Sequence, residues 1–346
     1  MATISDVARR AGVTRATVSN VLRRPEIVKP TTVARVRAAI EEVGYRPNLL
    51  ARALAEGRSS MIAVILPSIT NPFYPQFIRI AERVARQRGY FLMVCNTDEN
   101  VNTGRAYLDK IAGTLADGVL LLHSGLEGAE IEQICAQRCP VVLAFEEIVL
   151  LSETLPHVLV DFDEAGRVAT EYLIGLGHTK IAAIAGMGCE GMQYQRLNGY
   201  KRTLEAHGLD CCEDRIRYVT DSVAGGYEAA MSLIDGGTDA TAIFTTNDLL
   251  ACGALNALAD KGLSVPDDMS VMGLTDIQMA SEVRPPLTTV SLRVEEIAHL
   301  AINLLLDRIE KPDAGPAMLR APAPRLVRRA STAPPKIEPS EPSLLE

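Results

Sequence analysis

The sequence predicts an all-α head of three short helices followed by an α/β body of two doubly wound parallel sheets. Three observations indicate this: the charge changes sign near residue 60, helical periodicity dominates before that point, and apolar strands alternate with helices after it. The chain has 346 residues, more than one ordinary core holds. We expect a head over 1–47, a hinge helix and linker over 48–60, a body over 61–329 and a disordered tail rich in Pro, Ser and Glu over 330–346.

The charge is divided unevenly along the chain. Residues 1–58 carry 11 basic and 5 acidic side chains, a net charge of +6, whereas the remainder carries a net charge of −14. Contact with nucleic-acid phosphates needs such a basic region. The asymmetry therefore indicates a polyanionic partner for the head alone, with a merely solvated basic surface as the alternative.

Three helices are predicted in the head. Thr3 and Asp6 form a T-x-x-D capping box for the first helix, which ends at Gly12. Thr14 can cap the second helix, and the third starts at Thr31-Thr32 and ends at Gly44. The apolar residues expected to share one small core are Ile4, Val7, Ala8, Ala11, Val18, Val21, Leu22, Val33, Val36, Ile40 and Val43.

The turn between the first two helices is only three residues long, which predicts helix-turn-helix geometry. On a helical wheel, Ala16, Ser19, Asn20 and Arg23 point away from the apolar stripe of the second helix, and Arg15 lies at its start. Asn can pair with adenine, Arg with guanine or phosphate, and an Ala methyl with thymine. These residues are therefore candidates for contact with a major groove.

A short segment after the head has helix-forming sequence. Asn48 is a good N-cap, and residues 49–57 read LLARALAEG. About two turns fall short of the roughly 12–15 residues that an isolated helix needs in water. We therefore expect this hinge to be ordered only when something packs on it.

The body is predicted to contain strands and helices in alternation. A cleft between two lobes should lie at the carboxyl ends of the strands, where such folds bind ligands. We expect one lobe over 61–157 plus 291–329, and the other over 158–290. The predicted strands are 62–66, 91–95, 118–122 and 141–145, then a second set of 158–160, 181–185, 216–219, 242–245 and 270–272, and finally 288–292; the predicted helices are 73–88, 102–115, 128–138 and 295–309.

Several classes of protein are disfavoured. No apolar run approaches the roughly 18 residues of a membrane span, and the first residues lack the layout of a signal peptide, so we expect a cytoplasmic protein without a membrane partner. The seven cysteines are scattered without metal-binding spacing, which favours reduced, mostly buried thiols. We expect no metal and no cofactor.

Recognisable motifs are spread along about 325 residues of the chain. They are ISDVARRAGV at 4–13, ATVSNVL at 16–22, GYRPN at 44–48, ARAL at 51–54, TNPFY at 70–74, GHTKI at 177–181, RLNGY at 196–200, TND at 246–248 and RPPLTT at 284–289. Because they occur in the head, the hinge and both lobes, they are far more specific together than the helix-turn-helix alone. Together they resemble the lactose/galactose repressor (LacI/GalR) family.

The resemblance implies a periplasmic-binding-protein-like body and a regulator, most simply a repressor, that binds a pseudo-palindromic operator in double-stranded DNA as a homodimer. By this resemblance Arg15, Ala16 and Asn20 read bases, and Leu54 wedges into the central minor-groove step, where unstacking gives a bent duplex. In the cell it would associate with the nucleoid through the operator. The remaining DNA-contacting candidates, mostly near phosphate, are Thr14, Thr17, Ser19, Arg23 and Asn48.

The resemblance also implies a small-molecule effector in the cleft. The implied contacts are Phe73 and Tyr74 against the ligand ring, Arg196 as a gripping arginine, and Asn247 as a polar contact. An interlobe salt bridge is the alternative role for Arg196.

The sequence departs from the family pattern at GLTD, residues 273–276. There Thr275 stands where a carboxylate commonly accepts sugar hydroxyls, and Asp276 follows it. The loss of a carboxylate beside Arg196 predicts an anionic or weakly polar effector such as a sugar acid. A neutral sugar is the alternative, since Asp161, Glu146 or Asp276 could compensate.

Two other functions compete. GMGCEG at 186–191 fits G-x-G-x-x-G after a strand, but the next acidic residue, Asp221, comes 30 residues later rather than about 20, so an NAD-dependent enzyme is disfavoured. We interpret this loop as the rim of the cleft. A periplasmic sugar-binding protein would share the two lobes but not the basic head. We therefore predict a regulator and not an enzyme.

Overall fold

The computed structural model describes residues 2–46, 57–135, 139–145, 154–187, 191–311 and 318–336. The chain divides into two compact units at Ser60 and Met61. Residues 47–56, which include Asn48 and Leu54 of the predicted hinge, lie outside the described residues, as does Glu146.

The elements follow the predicted order closely. The helices are α1 (Ile4–Ala11), α2 (Arg15–Arg23), α3 (Pro30–Val43), α4 (Phe73–Gln87), α5 (Val101–Ile111), α6 (Gly128–Cys135), α7 (Phe162–Gly175), α8 (Met192–Ala206), α9 (Val223–Asp235), α10 (Asp248–Asp260), α11 (Met279–Glu282) and α12 (Val294–Glu310). The strands are β1 (Met61–Leu66), β2 (Phe91–Asn96), β3 (Gly118–Leu122), β4 (Val141–Ala144), β5 (His157–Leu159), β6 (Ile181–Gly186), β7 (Ile216–Val219), β8 (Ala242–Thr245), β9 (Ser270–Thr275), β10 (Thr288–Ser291), β11 (Met318–Arg320) and β12 (Arg325–Val327).

The head is a three-helix unit with one apolar core. The predicted capping box of Thr3 and Asp6 begins α1, and the Thr14 side chain caps α2 by accepting from the Thr17 amide. Val7, Val18 and Val36 are fully buried at the centre of this core.

Two details of the head correct the sequence-based expectation. Leu22 was expected in the core but is 38% exposed, since it lies at the edge of the stripe that Val18 and Val21 bury. The third helix begins at Pro30, earlier than predicted, because proline at the first helical position fits the fixed φ that a helix requires.

The body contains two six-stranded sheets. The first has the order β11-β5-β4-β3-β1-β2 and the second β12-β10-β9-β8-β6-β7. All neighbouring pairs are parallel except β10 and β12, which run antiparallel. The chain crosses from one lobe to the other three times, after β5, after β10 and after β11.

The crossings correct the expected lobe boundaries. Strand β5 was expected to open the second set, but it pairs with β4 in the first sheet. Strand β12 was assigned to the first lobe, but it pairs with β10 in the second. Which sheet a short strand joins depends on the strands available to pair with it, and local pattern does not specify that.

The predicted disordered tail is also corrected over its first part. Ser331 is fully buried, and its hydroxyl donates to the Val271 carbonyl at 2.6 Å and accepts from the Thr288 amide at 2.8 Å. The His178 ring hydrogen-bonds to the Ala333 carbonyl at 2.9 Å. This backbone is ordered because partners in the second lobe satisfy its polar groups.

Glycines allow the helices of the second lobe to touch. A Cβ on Gly166 of α7 would overlap the backbone oxygen of Arg196, and a Cβ on Gly199 of α8 would overlap the backbone oxygen of Asp163. Gly226 on α9 and Gly253 on α10 form a similar contact. Both helix pairs therefore pack at backbone distance.

In the described parts of the chain, no helix combines the length and apolar character that a membrane crossing requires.

Candidate effector cavity and DNA-contacting helix

Two adjoining cavities lie between the lobes at the carboxyl ends of the strands. The larger has a volume of about 210 Å³. We call the two together the cleft cavity. The first lobe contributes Asn71, Phe73, Tyr74, Thr97, Glu99 and His123, and the second contributes Met192, Gln193, Arg196, Asp221, Asn247 and Thr275.

Aromatic residues form the apolar wall of the cavity on the first lobe. The Asn71 side chain accepts from the Phe73 amide at 3.1 Å and so sets the start of α4. The Phe73 ring packs edge-on against Tyr74 at 5.4 Å and Phe145 at 5.0 Å between centroids. The structure therefore brings Phe73 and Tyr74 together as the sequence predicted, with Phe73 tied into the core and Tyr74 lining both parts of the cavity.

Arg196 is a buried cation on the first turns of α8. Its side chain donates from Nη1 to the Thr246 carbonyl at 2.9 Å, and its guanidinium lies over the Phe162 ring, 5.0 Å from the centroid. Burial lowers its pKa to about 10, against a rise caused by Asp221 and other nearby groups, so it is charged at neutral pH. No salt bridge to Arg196 is present within the described ranges, and the interlobe ion pair considered for it is not seen there.

Asp221 is the carboxylate that faces this cation, and sequence reasoning missed it. It follows β7 and accepts from Gln193 Nε2 at 2.7 Å and from the Asn247 amide. Burial raises its pKa, while Asn247, Arg196 and Gln193 act in the opposite direction. Its position directly after a strand, at the sheet edge where ligands bind, was the available signal.

Asn247 and Asp248 organise the floor of the cavity. Asn247 caps α10 by accepting from the Leu250 amide at 3.0 Å, and its amide group holds Asp221. Asp248 is fully buried, and burial raises its pKa. Its carboxylate accepts from Thr275 Oγ1 at 3.1 Å, from the Ile277 amide at 2.9 Å and from Thr289 Oγ1 at 2.6 Å.

Thr275 and Asp276 were both predicted to contact the effector, but their side chains have different surroundings. Thr275 lines the cavity, held by Asp248. Asp276, by contrast, is not among the lining residues, because its carboxylate accepts from Arg329 Nη2 at 2.7 Å in the second lobe. Asp276 is therefore an ion-pair partner of the chain segment after β12, and the effector contact expected of it is not supported.

The charge of the cavity differs from the sequence-based expectation. We expected a site made less negative by the loss of a carboxylate, but Asp221 supplies one on a different strand, next to Arg196. The described lining also includes the carboxylate of Glu99. The positive charge of Arg196 is therefore offset within the site. Within the residues described, no group of His, Cys, Asp and Glu is arranged to hold a metal ion.

The glycine-rich loop after β6 is described only in part, since residues 188–190 lie outside the described ranges. Met187, 66% exposed, lines the larger part of the cavity. This placement is in line with the loop being a rim of the cleft.

The second helix of the head presents a polar outer surface. Arg15, Ala16, Asn20 and Arg23 are exposed, opposite the buried side of α2. The remaining candidates lie at the margin: Thr17 and Ser19 are half-buried, and Thr14 and Thr17 share a hydroxyl hydrogen bond of 2.9 Å. The arrangement can place the four exposed side chains against base edges while the threonines stay near the backbone of a duplex.

Comparison with known proteins agrees with both parts of the chain. A model of the lacI family of bacterial regulatory proteins matches residues 3–48, and a periplasmic binding protein-like domain matches residues 170–332. The ribose operon repressor of Escherichia coli (strain K12) is 35% identical over 346 residues, covering 96% of this chain and 100% of that protein. Catabolite control protein A of Priestia megaterium is 33% identical over 331 residues, covering 95% of this chain and 99% of that protein.

Solved structures share the fold over the same span. The lac repressor dimer bound to operator and the anti-inducer ONPF has a TM-score of 0.83 at 26% identity, covering 96% of this chain and 99% of that one. A LacI family regulator from Enterococcus faecium with bound ribose has a TM-score of 0.71 at 28% identity, covering 79% of this chain and 99% of that one. The helix-turn-helix head, the two-lobed body and this likeness along nearly the whole chain show that the protein is a DNA-binding transcriptional regulator of the lacI family.

Proposed function

We propose that the protein represses transcription by binding a pseudo-palindromic operator as a homodimer, and that a neutral monosaccharide in the cleft cavity controls its affinity for that operator. The observation that carries the choice of ligand is that the buried Asp221 carboxyl lies near enough to the buried Arg196 guanidinium for each group to act on the pKa of the other. A cation already offset by a carboxylate favours a neutral polyhydroxylated molecule over a free acid, because an added anion would face Asp221 at close range.

The shape and lining of the cavity support a single sugar ring. The larger part holds about 210 Å³. Tyr74 and Phe73 offer an aromatic wall, and Gln193, Asn247 and Thr275 offer polar groups on the opposite lobe. Convergent polar groups facing an apolar wall are typical of small-molecule sites in clefts of this kind. Relatives named for ribose, and a neighbour with bound ribose, point to the same class of ligand.

The DNA-binding half of the proposal is based on the head. Its net charge is positive, and α2 exposes Arg15, Asn20 and Arg23 on the surface opposite its core. Two heads related by a two-fold axis would each place one such helix in a half-site. The dimeric neighbour bound to operator supports this arrangement.

The proposal is tested with the full-length protein in two steps. Calorimetric titration with D-ribose, D-xylose, D-fructose and D-glucose is compared with titration of the corresponding sugar acids, such as D-ribonate and D-gluconate. Footprinting on DNA flanking the gene is then repeated with and without the sugar that binds. We expect a neutral sugar to bind and to change protection of a two-fold symmetric site. Binding of acids alone would overturn the choice of ligand.

A further inference from the structure

Two buried polar atoms in the cleft cavity lack a partner. Within the described part of the chain, His123 Nδ1 and Arg196 Nε are the buried side-chain nitrogen or oxygen atoms that make no hydrogen bond. His123 lies in the first lobe and Arg196 in the second, and both line the cleft cavity. A buried polar atom without a partner is costly. Two such atoms, on residues that line adjoining parts of one cavity from opposite lobes, indicate a ligand that supplies both partners.

The position of His123 follows from the strand that carries it. It comes directly after β3, its amide donates to the Ala144 carbonyl at 3.2 Å, and its φ of 49° lies in the left-handed region. The Phe145 backbone lies close enough to the ring to raise its pKa, against the effect of burial. We assign the single proton of the neutral ring to Nε2, because Nδ1 has no partner within the protein. In the neutral ring Nδ1 is then an acceptor.

We propose that His123 is a specificity-determining residue of the effector site: its unprotonated Nδ1 accepts a hydrogen bond from a hydroxyl of the sugar, while Arg196 Nε–H donates to another oxygen of the same molecule. The bound sugar would thereby bridge the lobes, and a ligand with a deoxy carbon at the His123 position would be rejected. This inference depends on the proposed function, because it requires a hydroxylated ligand in the cleft cavity.

The same contact makes effector binding sensitive to acid. Burial lowers the pKa of His123 below its ordinary value of 6.5, the Phe145 backbone acts against this shift, and Arg196 adds to it. Protonation removes the acceptor at Nδ1 and places a second positive charge near Arg196 in the cavity, so affinity for the sugar falls as the pH falls through this pKa. The other titratable groups that face the cavity are Tyr74 from α4, Glu99 from the loop before α5, Arg196 from α8 and Asp221 after β7.

The test measures the dissociation constant of the sugar that binds tightest in the panel above, from about pH 8 down to about pH 5. His123→Phe removes the acceptor, and we expect a loss of affinity of roughly 10-fold or more at pH 8. His123→Gln keeps a polar group that does not titrate, so affinity should fall less and the drop below pH 6.5 should disappear. Asp221→Asn is measured alongside to separate its protonation from that of His123.

Controls separate the possible failures. His299→Gln removes an exposed histidine of α12 and should leave the pH profile of wild type unchanged. Thermal unfolding checks that each variant is folded; if His123→Phe does not fold, the pH profile of His123→Gln decides alone. Sugar binding that is unchanged in the His123 variants overturns this inference and leaves the proposed function intact. Failure of every neutral sugar to bind wild type overturns both, and is recognised before any variant is made.

Discussion

Gly166 on α7 lies directly against the backbone oxygen of Arg196 on α8, with no room for a side chain between them. The reciprocal contact joins Gly199 to the backbone of Asp163. The helix that carries the buried cation is therefore packed against α7 at backbone distance. A small displacement of α8 moves Arg196 relative to the first lobe, so the stability of this crossing and the geometry of the cleft cavity are coupled.

Replacing Gly166 with alanine should therefore affect both stability and ligand binding. The added methyl group forces the helices apart, and overpacking of this kind costs about 1–3 kcal/mol in the free energy of unfolding. We expect Gly166→Ala to lower that free energy and to weaken sugar binding. Gly175→Ala, at the end of the same helix where a Cβ meets nothing within 4 Å, is the matched control. Denaturant unfolding and calorimetry measure the two effects, and equal behaviour of the two variants would disprove the coupling.

Asn20→Ala should weaken operator binding without destabilising the head. Asn20 is exposed on the outer surface of α2, and a bidentate contact with adenine contributes about 1–3 kcal/mol of discrimination. We expect a loss of roughly 5- to 150-fold in operator affinity at fixed salt, with an unchanged melting temperature. Thr31→Ala, also exposed but on α3, serves as the control in fluorescence anisotropy with an operator duplex. If both variants bind like wild type, Asn20 does not read a base.

Asp248 should stabilise the fold, because its carboxylate accepts hydrogen bonds from several buried donors. Asp248→Ala leaves the hydroxyls of Thr275 and Thr289 and the Ile277 amide without their buried acceptor, which should cost about 3 kcal/mol or more. Asp248→Asn keeps one acceptor oxygen and replaces the other with an amide NH2, which can donate a hydrogen bond to the Thr289 hydroxyl. This variant should therefore retain most of the stability. Thermal unfolding distinguishes the pair, and equal loss in both would show that the charge itself is required.

We expect Asp221 to lower the stability of the ligand-free protein and to contribute to ligand binding. Burial raises its pKa above the ordinary value of 3.8, so the folded state binds this proton more tightly than the unfolded state. Its ionised form therefore destabilises the ligand-free protein at neutral pH, and this cost disappears as the pH falls towards 3.8. Asp221→Asn should melt at a higher temperature than wild type at pH 7 and lose that advantage in acid.

The same Asp221→Asn variant should bind the sugar more weakly, because a charged acceptor is lost. Asp267→Asn, on an exposed loop, is the control for a general change in charge. Thermal unfolding across the pH range, without and with sugar, makes both measurements. A lower melting temperature at pH 7 without sugar would contradict the prediction.

Much of the fold follows from local pattern. Runs such as VLLL in β3 are apolar over their full length, and a buried strand is one of the few structures that can bury such a short run. The strand ends predicted for β3 and β8 coincide with those observed. The sheets that β5 and β12 join could not be predicted from local pattern. Each strand could pair with either of two sheets that have similar edges, and the structure pairs them with β4 and β10.

The candidate site was predictable only where a motif carried it. Phe73, Tyr74 and Arg196 lie in recognisable stretches, and the structure brings them to one cavity. The carboxylate of Asp276 is bound by Arg329, 53 residues away, and its contact with an effector stays a prediction. Asp221 and His123 were missed, because each is a single polar residue after a strand. The role of each depends on a partner from the other end of a sheet or from the opposite lobe.

The three crossings between the lobes determine how the protein can be recombined with its relatives. The head ends before Met61 in one continuous stretch, so a different operator preference could be grafted with a single junction. Neither lobe of the body is continuous, and the second includes a returning segment closed by Ser331. A chimera that takes only one lobe therefore needs three junctions, and one made with a single cut between the lobes would join two incomplete sheets.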